Sequence, residues 1–331
     1  MYNHPQDMLN PEYSLINDTL IYYLTWNNST TNLRAGIESA QNFDSYPLSP
    51  YCWVTETRVF KNNYVSGKRA GQIHNPLYTV GEGYGKIKSN SSETIVFNTA
   101  HRVSGSNVPA ARFQAVFASA NNPAPAISEG NHHLRVQFQN NVLFDAIFMG
   151  FENFTINQSI ASQLLSNEST AIFGSVNDIG LSANDSYAIG YAKLKFAHDY
   201  NFESQEYFAF DAIATNGFEK LKVEFENFEG SNPVIYAIGA NTVRIQAVSN
   251  GNNYRFLIPQ NGEETFRCYL SSAESIHAVT RLSPVSINAH FTDYTSLNLS
   301  NAFILITADT LLQSAQAYLS YRSQIFNTLL V

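Results

Sequence analysis

The stretch HLRVQFQNNVLFD, residues 133–145, gives the clearest strand signal in the chain. Its apolar residues Leu134, Val136 and Phe138 alternate with polar ones, as expected where one face of a strand is buried and the other faces water. The pair of asparagines at 140–141 is a turn signal, and a second apolar run follows it. The pattern predicts a β-hairpin.

Short runs of β-branched and aromatic residues continue along most of the chain, and glycine, asparagine and proline separate them. Many short strands with closely spaced turns are typical of β-sandwiches rather than of alternating strands and helices. One short helical turn is predicted, at 159–165. The predicted strands are 19–26, 51–60, 94–98, 111–118, 133–138, 142–148, 151–156, 169–174, 187–196, 207–213, 220–225, 234–238, 243–248, 254–257, 265–270 and 278–282.

The composition narrows the function classes. The chain has 19 Lys and Arg against 27 Asp and Glu, a net charge of -8, which argues against a nucleic-acid-binding protein. Only 14% of its residues are charged, whereas 13% are aromatic. A disordered chain would show the opposite balance, so the sequence predicts a folded protein with ample core material.

The chain shows no targeting or membrane segment. No apolar run approaches the ~18 to 20 residues of a membrane helix. The first residues, MYNHPQD, have neither the basic region nor the apolar region of a signal peptide. We therefore expect either a cytoplasmic protein or a piece of a longer chain.

The pattern changes near residue 301. The run AFILIT, residues 302–307, is apolar without alternation, as in a strand that is buried on both faces. Asp309 is a candidate helix N-cap, and residues 328–331 form another apolar strand. Because one strand and one helix cannot bury their own faces, the sequence predicts an α/β domain that starts here and is cut off. One apolar helix face is predicted from Leu311, Leu312, Ala315, Tyr318 and Leu319.

These observations predict a mainly β protein of four segments. A gradual change in residue composition at 198–205 separates two series of predicted strands. The predicted segments are an N-terminal β-sandwich region (1–205), a second, Ig-like β-sandwich (206–287), a linker (288–300) and the first β-α unit of an α/β domain (301–331).

Motifs that carry chemistry are missing. The sequence lacks HExxH, GxSxG, P-loop and GxGxxG patterns. The glycine-rich residues 81–85 are interpreted as a turn or bulge, with a ligand loop as the alternative. Cys52 and Cys268 are expected to be free, partly buried thiols, although sequence leaves a disulfide between them open. We assign no catalytic, cofactor-binding or metal-binding residue and expect no cofactor.

Two further groups of residues have competing interpretations. His132 and His133 suggest a metal site, but adjacent strand residues point to opposite faces, so an ordinary pair at a strand edge is favoured. Aromatic residues in the first 55 positions are interpreted as core or inter-domain packing, with a sugar-stacking platform as the alternative. These aromatic residues are Tyr22, Tyr23, Trp26, Tyr46, Tyr51 and Trp53.

The C-terminal stretch NAFILITADTLLQSAQAYLSYRSQ, residues 301–324, resembles the opening strand and helix of the catalytic domain in gingipain-type cysteine peptidases. It looks especially like the branch that contains the sortase of the type IX secretion system. Further segments are similar to the β-rich region that precedes this catalytic domain, so the resemblance covers most of the chain. These segments are 133–148, SVNDIG at 175–180, 187–202, FTDY at 291–294, NPEYS at 10–14 and YYLTWN at 22–27.

The resemblance implies a function. It implies a caspase- or gingipain-like α/β domain whose catalytic His and Cys lie beyond residue 331, so that this chain alone is inactive. The chain would support folding, regulation or substrate positioning for its own downstream catalytic domain, with exported proteins or outer-membrane secretion components as further partners. The implied location is secreted or at the cell surface. The alternative is a carbohydrate-binding or adhesive β-sandwich module.

Overall fold

The computed structural model divides the chain into two units, Met1–Ile276 (unit 1) and His277–Val331 (unit 2). The residues that the structure describes are 8–13, 21–26, 28, 31–32, 34–39, 41–67, 69–70, 73–74, 79–105, 107–125, 127–272, 274–275, 278–285, 291, 293–297 and 299–331.

Unit 1 consists of strands and two short 3₁₀ turns, Phe43–Ser45 and Ser162–Leu164, in its described part. The second turn lies within the helical turn predicted at 159–165. The strands are β1 (Gly36–Glu38), β2 (Cys52–Val59), β3 (Asn63–Val65), β4 (Arg69–Ala70), β5 (Ile73–His74), β6 (Gly83–Ser89), β7 (Ser92–Asn98), β8 (Ala111–Ser119), β9 (His132–Phe138), β10 (Asn141–Phe148), β11 (Asn153–Ile160), β12 (Glu168–Ser175), β13 (Ser186–His198), β14 (Asn201–Gln205), β15 (Tyr207–Ile213), β16 (Lys220–Phe228), β17 (Val234–Ile238), β18 (Val243–Gln246), β19 (Val248–Asn250), β20 (Asn253–Pro259) and β21 (Thr265–Ser271).

One 11-stranded sheet runs through unit 1. Its strand order is β1-β18-β17-β21-β15-β2-β13-β6-β3, and β8 pairs with β13 and with β11. The 13-residue strand β13 is its centre: Leu194 lies opposite Glu56 of β2 and opposite Phe113 of β8. The predicted mainly β fold is therefore confirmed.

A four-stranded sheet, β10-β9-β12-β7, packs on one half of the large sheet and forms the first sandwich. Phenylalanine side chains of the two layers meet in its core: Phe113 of β8 lies 5.4 Å from Phe138 of β9, and Phe117 of β8 lies 5.6 Å from Phe173 of β12, between ring centres. Interleaved aromatic rings bury large apolar areas, which favours this packing.

The hairpin predicted at 133–145 is confirmed as β9 and β10. Leu134, Val136 and Phe138 are all buried, and the strands pair in antiparallel register. Gln139 and Asn140 turn the chain with φ of 45° and 66°, the left-handed backbone that a two-residue hairpin turn requires.

A second four-stranded sheet, β14-β16-β20-β19, packs on the other half of the large sheet. Phe202 of β14 stacks on Phe208 of β15 with ring centres 4.4 Å apart. The two sandwiches thus share one sheet, because β2 pairs with β13 on one side and with β15 on the other. The predicted boundary at 205/206 separates the strand series of the two sandwiches but does not interrupt this sheet. Whether the sandwiches fold independently stays a prediction.

The N-terminal residues 8–13 lie across β6 and β13. Leu9 is fully buried, and its backbone N–H donates to the carbonyl oxygen of Glu82. A Cβ atom placed on Gly190 would come within 1.8 Å of the Leu9 carbonyl oxygen. Only a glycine at this position of β13 permits such a close approach.

Unit 2 contains a β-α-β arrangement, as predicted from its sequence. Strands β22 (Ala302–Leu305) and β23 (Asn327–Leu330) pair in parallel, and helix α1 (Leu312–Arg322) connects them. The helix follows a 3₁₀ turn at Asp309–Leu311 and does not begin directly after Asp309. A further 3₁₀ turn, Tyr294–Ser296, falls in the predicted linker, of which residues 288–290, 292 and 298 lie outside the described residues.

Two predicted strands are wrong where the structure describes them. Residues 21–26, the described part of the strand predicted at 19–26, form no strand, and neither do residues 278–282. Both segments are exposed. Their β-branched and aromatic residues mimic a strand pattern, but a strand needs a neighbouring strand, and the described parts of these segments belong to none of the sheets.

Candidate functional site

A cavity of about 150 Å³ lies in unit 1 where the three main sheets meet. Strands β2, β13 and β15 of the large sheet, the end of β7 and strand β14 each contribute to it. The cavity is open to solvent, since three of its lining residues, Asn98, Gln205 and Tyr207, are exposed. It is lined by Val54, Thr55, Glu56, Asn98, Phe196, His198, Glu203, Gln205, Tyr207, Phe208 and Ala209.

His198 is the histidine of this cavity, at the end of β13. Its side chain is 2% exposed, and its Nδ1–H donates to the carbonyl oxygen of Asp199. Burial lowers the pKa of the imidazole and outweighs the nearby carboxylates of Asp199 and Glu203. The neutral ring with its proton on Nδ1 therefore leaves the lone pair of Nε2 free, and none of the described residues donates a hydrogen bond to that atom.

Glu203 faces His198 across the cavity. Its Oε1 lies 3.8 Å from His198 Nε2, and both of its carboxylate oxygens accept from the Asn98 amide at 3.1 Å. Glu203 and Ser204 have φ of 55° and 56°, a left-handed backbone that costs non-glycine residues about 1–3 kcal/mol each. The surrounding sheets hold this carboxylate in place against that cost.

The remaining walls divide into polar and apolar surfaces. Glu56 pairs with Arg58 at 2.7 Å. Val54, Phe196 and Phe208 supply buried apolar surface. The cavity therefore offers acceptor atoms next to an apolar wall, an arrangement that can hold a hydrogen-bond donor on an aliphatic stem.

The two adjacent histidines of β9 lie outside this cavity, in separate networks. His132 is fully buried; its Nδ1 lies 2.6 Å from Asp185 Oδ1 and its Nε2 lies 3.0 Å from the Asn121 carbonyl oxygen. The ring also stacks on Phe148, with centres 4.9 Å apart. These contacts lock His132 into the first sandwich.

His133 points the opposite way, as its place in the strand predicts. Its Nδ1 lies 2.6 Å from Asp178 Oδ1, and its Nε2 lies 2.8 Å from Asp145 Oδ1. Burial disfavours the cation, but the hydrogen bonds to these two carboxylates outweigh burial and raise the pKa of His133. Arg135 donates to the other oxygen of Asp145 at 2.9 Å, and it lowers the pKa of that carboxyl.

The two thiols are free and fully buried. Burial raises the pKa of Cys268 to about 12 and raises the pKa of Cys52 well above its usual value. Since the thiolate is the nucleophile, neither thiol is placed for catalysis.

The aromatic residues near the N-terminus differ in how far they are buried. Trp26 is 71% exposed and Tyr22 is 84% exposed, so the packing interpretation is wrong for both. Trp53 is half-buried, contacts Tyr51 edge to face at 5.9 Å and lies 5.8 Å from the Lys195 ammonium. Trp53 therefore packs against neighbouring side chains without being part of the buried core.

The glycine-rich residues 81–85 form a turn and the start of β6, as predicted. The sequence does not predict the cavity. Residues 198–205 are predicted only as a boundary, although they supply His198, Glu203 and Gln205. The polar run at 203–206, between two apolar strands, is the available signal, but Asn98 and Glu56 are far away in sequence.

The described residues contain no group of three or more His, Cys, Asp or Glu residues arranged to hold a metal ion. None of the helices in the described part of the chain is long and apolar enough to cross a membrane.

The fold is that of a mainly β protein with two sandwiches on a shared sheet and a separate β-α-β unit. It is similar to the crystal structure of dimeric latent PorU from Porphyromonas gingivalis, with a TM-score of 0.54 and 12% identity. The match covers 90% of this chain and 27% of the PorU chain, so this chain spans about a quarter of the PorU length. The likeness shows a shared fold and agrees at that level with the resemblance seen in the sequence.

A second similar structure is the CBM36-1 domain of a multidomain xylanase from the hindgut metagenome of Trinervitermes trinervoides. It has 13% identity and a TM-score of 0.23 and covers 43% of this chain and 95% of that domain. This score is too low to support an inference. No family model and no curated protein sequence matches the chain.

Proposed function

We propose that this chain is the non-catalytic, β-rich region of a secreted gingipain-like cysteine peptidase of the type IX sortase branch. The observation that carries the proposal is the fold likeness to dimeric latent PorU over 90% of the chain, which agrees with the sequence resemblance at residues 301–324. The region supports folding, regulation or substrate positioning for a catalytic domain that follows it. Its partners are that domain and exported proteins or outer-membrane secretion components.

The β-α-β unit supports the same proposal. Ile304, Ile306 and Leu311 expose 47%, 77% and 60% of their surface. A parallel strand pair with its crossover helix is the repeating element of α/β domains, whose sheets are covered on both faces. Further strands and helices of a catalytic domain would cover these residues.

The buried thiols support the expectation that the chain alone cleaves no peptide. The test uses a longer protein, expressed from the reading frame that continues past Val331. Its thiol-dependent cleavage is assayed on a panel of fluorogenic peptides. We expect cleavage from the longer chain and none from residues 1–331, with a Cys52→Ala, Cys268→Ala variant as the control. A longer chain without thiol-dependent cleavage would contradict the proposal.

A carbohydrate-binding or adhesive module is the second candidate. The exposed rings of Tyr22 and Trp26 favour it, because aromatic faces stack on sugars. A glycan array with the chain and with a Trp26→Ala variant distinguishes the two candidates. Glycan binding that disappears in the variant, without a change of melting temperature, would favour this module.

A further inference from the structure

We propose that the cavity between the two sandwiches binds the side chain of a lysine or arginine from a protein partner. This inference goes beyond the proposed function, because it assigns a ligand to a site that needs no catalytic domain. It rests on four features of the cavity: an uncompensated carboxylate, a pair of facing acceptor atoms, an apolar wall and a suitable size.

The charge of Glu203 lacks a cationic partner. Among the described residues, the basic group within 4.0 Å of its carboxylate is His198, which burial keeps neutral. The Asn98 amide donates to Glu203 but carries no charge. A cation that enters the cavity would therefore gain an ion pair without displacing one, and an anion would be repelled.

Two hydrogen-bond acceptor atoms face each other in the cavity, and a donor group placed between them could bond to both. His198 Nε2 carries a lone pair and lies 3.8 Å from Glu203 Oε1, another acceptor. Two acceptors at this separation cannot satisfy each other, but one N–H-bearing group can donate to both. An ammonium provides three N–H donors and a guanidinium five, whereas a carboxylate or phosphate ligand provides none.

His198 makes this preference specific. Its side chain is 2% exposed and lines the cavity, so its free Nε2 is a nearly buried polar atom with no hydrogen-bond donor among the described residues. Buried polar atoms are almost always hydrogen-bonded. A bound donor would satisfy this atom.

The apolar wall and the size of the cavity select a side chain. Val54, Phe196 and Phe208 line the wall, where the aliphatic stem of a lysine or arginine can pack. The volume of about 150 Å³ is below the ~300 Å³ at which pockets for larger ligands begin. Tyr207, 51% exposed at the opening, offers a ring over which a cation is attracted.

The experiment titrates isotope-labelled protein, as the full 331-residue chain, with three probes and follows amide shifts by NMR. The probes are Nα-acetyl-lysine methylamide, Nα-acetyl-norleucine methylamide and cadaverine. Norleucine keeps the aliphatic stem and lacks the ammonium, so we expect blocked lysine to bind and blocked norleucine not to bind. Cadaverine tests a free diamine as the source of the cation.

Two variants locate the binding. Glu203→Gln keeps the size of the side chain and removes its charge, and we expect it to weaken binding of blocked lysine about tenfold, as for a lost hydrogen bond to a charged group. Glu264→Gln removes an exposed carboxylate outside the cavity lining and should leave binding unchanged. Thermal unfolding of both variants confirms that they are folded. If Glu203→Gln does not fold, Phe208→Leu, which replaces a ring of the apolar wall by a smaller apolar side chain, is used instead and should also weaken binding.

Four results would overturn the proposal: no binding of blocked lysine, equal binding of blocked norleucine, equal loss of binding in the control variant, or tighter binding of cadaverine than of blocked lysine. The last result would assign the cavity to a free diamine instead of a protein side chain. Blocked lysine binding that depends on Glu203 supports the proposal.

Discussion

Units 1 and 2 both contain strands rich in apolar residues and differ in how much of that apolar surface is buried. In unit 1, residues such as Phe138 and Leu194 are fully buried between layers. In unit 2, Ala315 is the one buried hydrophobic residue among those described, and Ile304 in β22 exposes 47% of its surface. One strand pair and one helix cannot enclose a core. Unit 2 therefore has more apolar side chains than its own elements can bury.

The difference shows that a hydrophobic pattern predicts which side chains of a segment are suited to burial. It does not show whether neighbouring elements bury them. The run at 302–307 predicts a strand buried on both faces. The structure gives it one paired neighbour, β23, and leaves Ile306 77% exposed. Exposed apolar surface of this kind favours association.

The largest contrast is expected between core substitutions in the two units. Phe138→Ala removes a fully buried ring in unit 1 and should cost about 3–5 kcal/mol of unfolding free energy. Leu311→Ala removes a side chain that is 60% exposed in unit 2 and should change it by less than about 0.5 kcal/mol. Urea unfolding followed by circular dichroism measures both. Similar costs at the two positions would remove the contrast.

A smaller loss of stability is expected from a substitution at Gly190, where the N-terminal segment lies against β13. Gly190→Ala places a Cβ against the Leu9 carbonyl oxygen and should cost about 1–3 kcal/mol, as overpacking does. Gly36→Ala, whose nearest atom would be 3.8 Å away, is the matched control and should be nearly neutral. Equal melting temperatures for the two variants would mean that residues 8–13 do not lie against β13.

A pH-dependent contribution is expected from His133. Its pKa is raised in the folded state, so its stabilisation is present below the unfolded value of about 6.5 and is lost as the pH rises through the folded pKa. His133→Gln should therefore cost about 1 kcal/mol more near pH 6 than near pH 8.5. Urea unfolding at both pH values measures this.

Asp178→Asn removes one of the two carboxylates that face His133 and should reduce the same pH dependence. A cost of His133→Gln that does not vary with pH would contradict the assignment of this network as the cause.

The smallest change in stability is expected from removing unit 2 elements. A version of the chain that ends at residue 295 should show the same unfolding midpoint as the full chain and should associate less in sedimentation, because exposed apolar faces and a strand edge are gone. Loss of the unfolding transition in the shorter chain would make residues 301–331 an integral part of the β-rich unit.

Secondary-structure elements could be predicted where their own residues show a clear periodicity or a turn motif. The hairpin at 133–145 combines strict alternation with a two-asparagine turn, and the β-α-β order after residue 301 combines an apolar run with a helical stripe. The strands predicted at 19–26 and 278–282 are absent from the described parts of these segments. Their residues have a strand-like pattern, but the described parts belong to none of the sheets. Strand pairing is a property of two segments, which one segment cannot report.

Residue patterns were enough to predict that this protein is mainly β, that the pattern changes near residue 301 and that Leu134, Val136 and Phe138 share a buried face. They did not predict that the two sandwiches share one sheet or that Asn98, His198 and Glu203 meet in a cavity. Alternation and helical periodicity are local, because they follow from the geometry of one backbone segment. The register between strands far apart in the chain, and with it every site built across sheets, depends on packing that no single segment specifies.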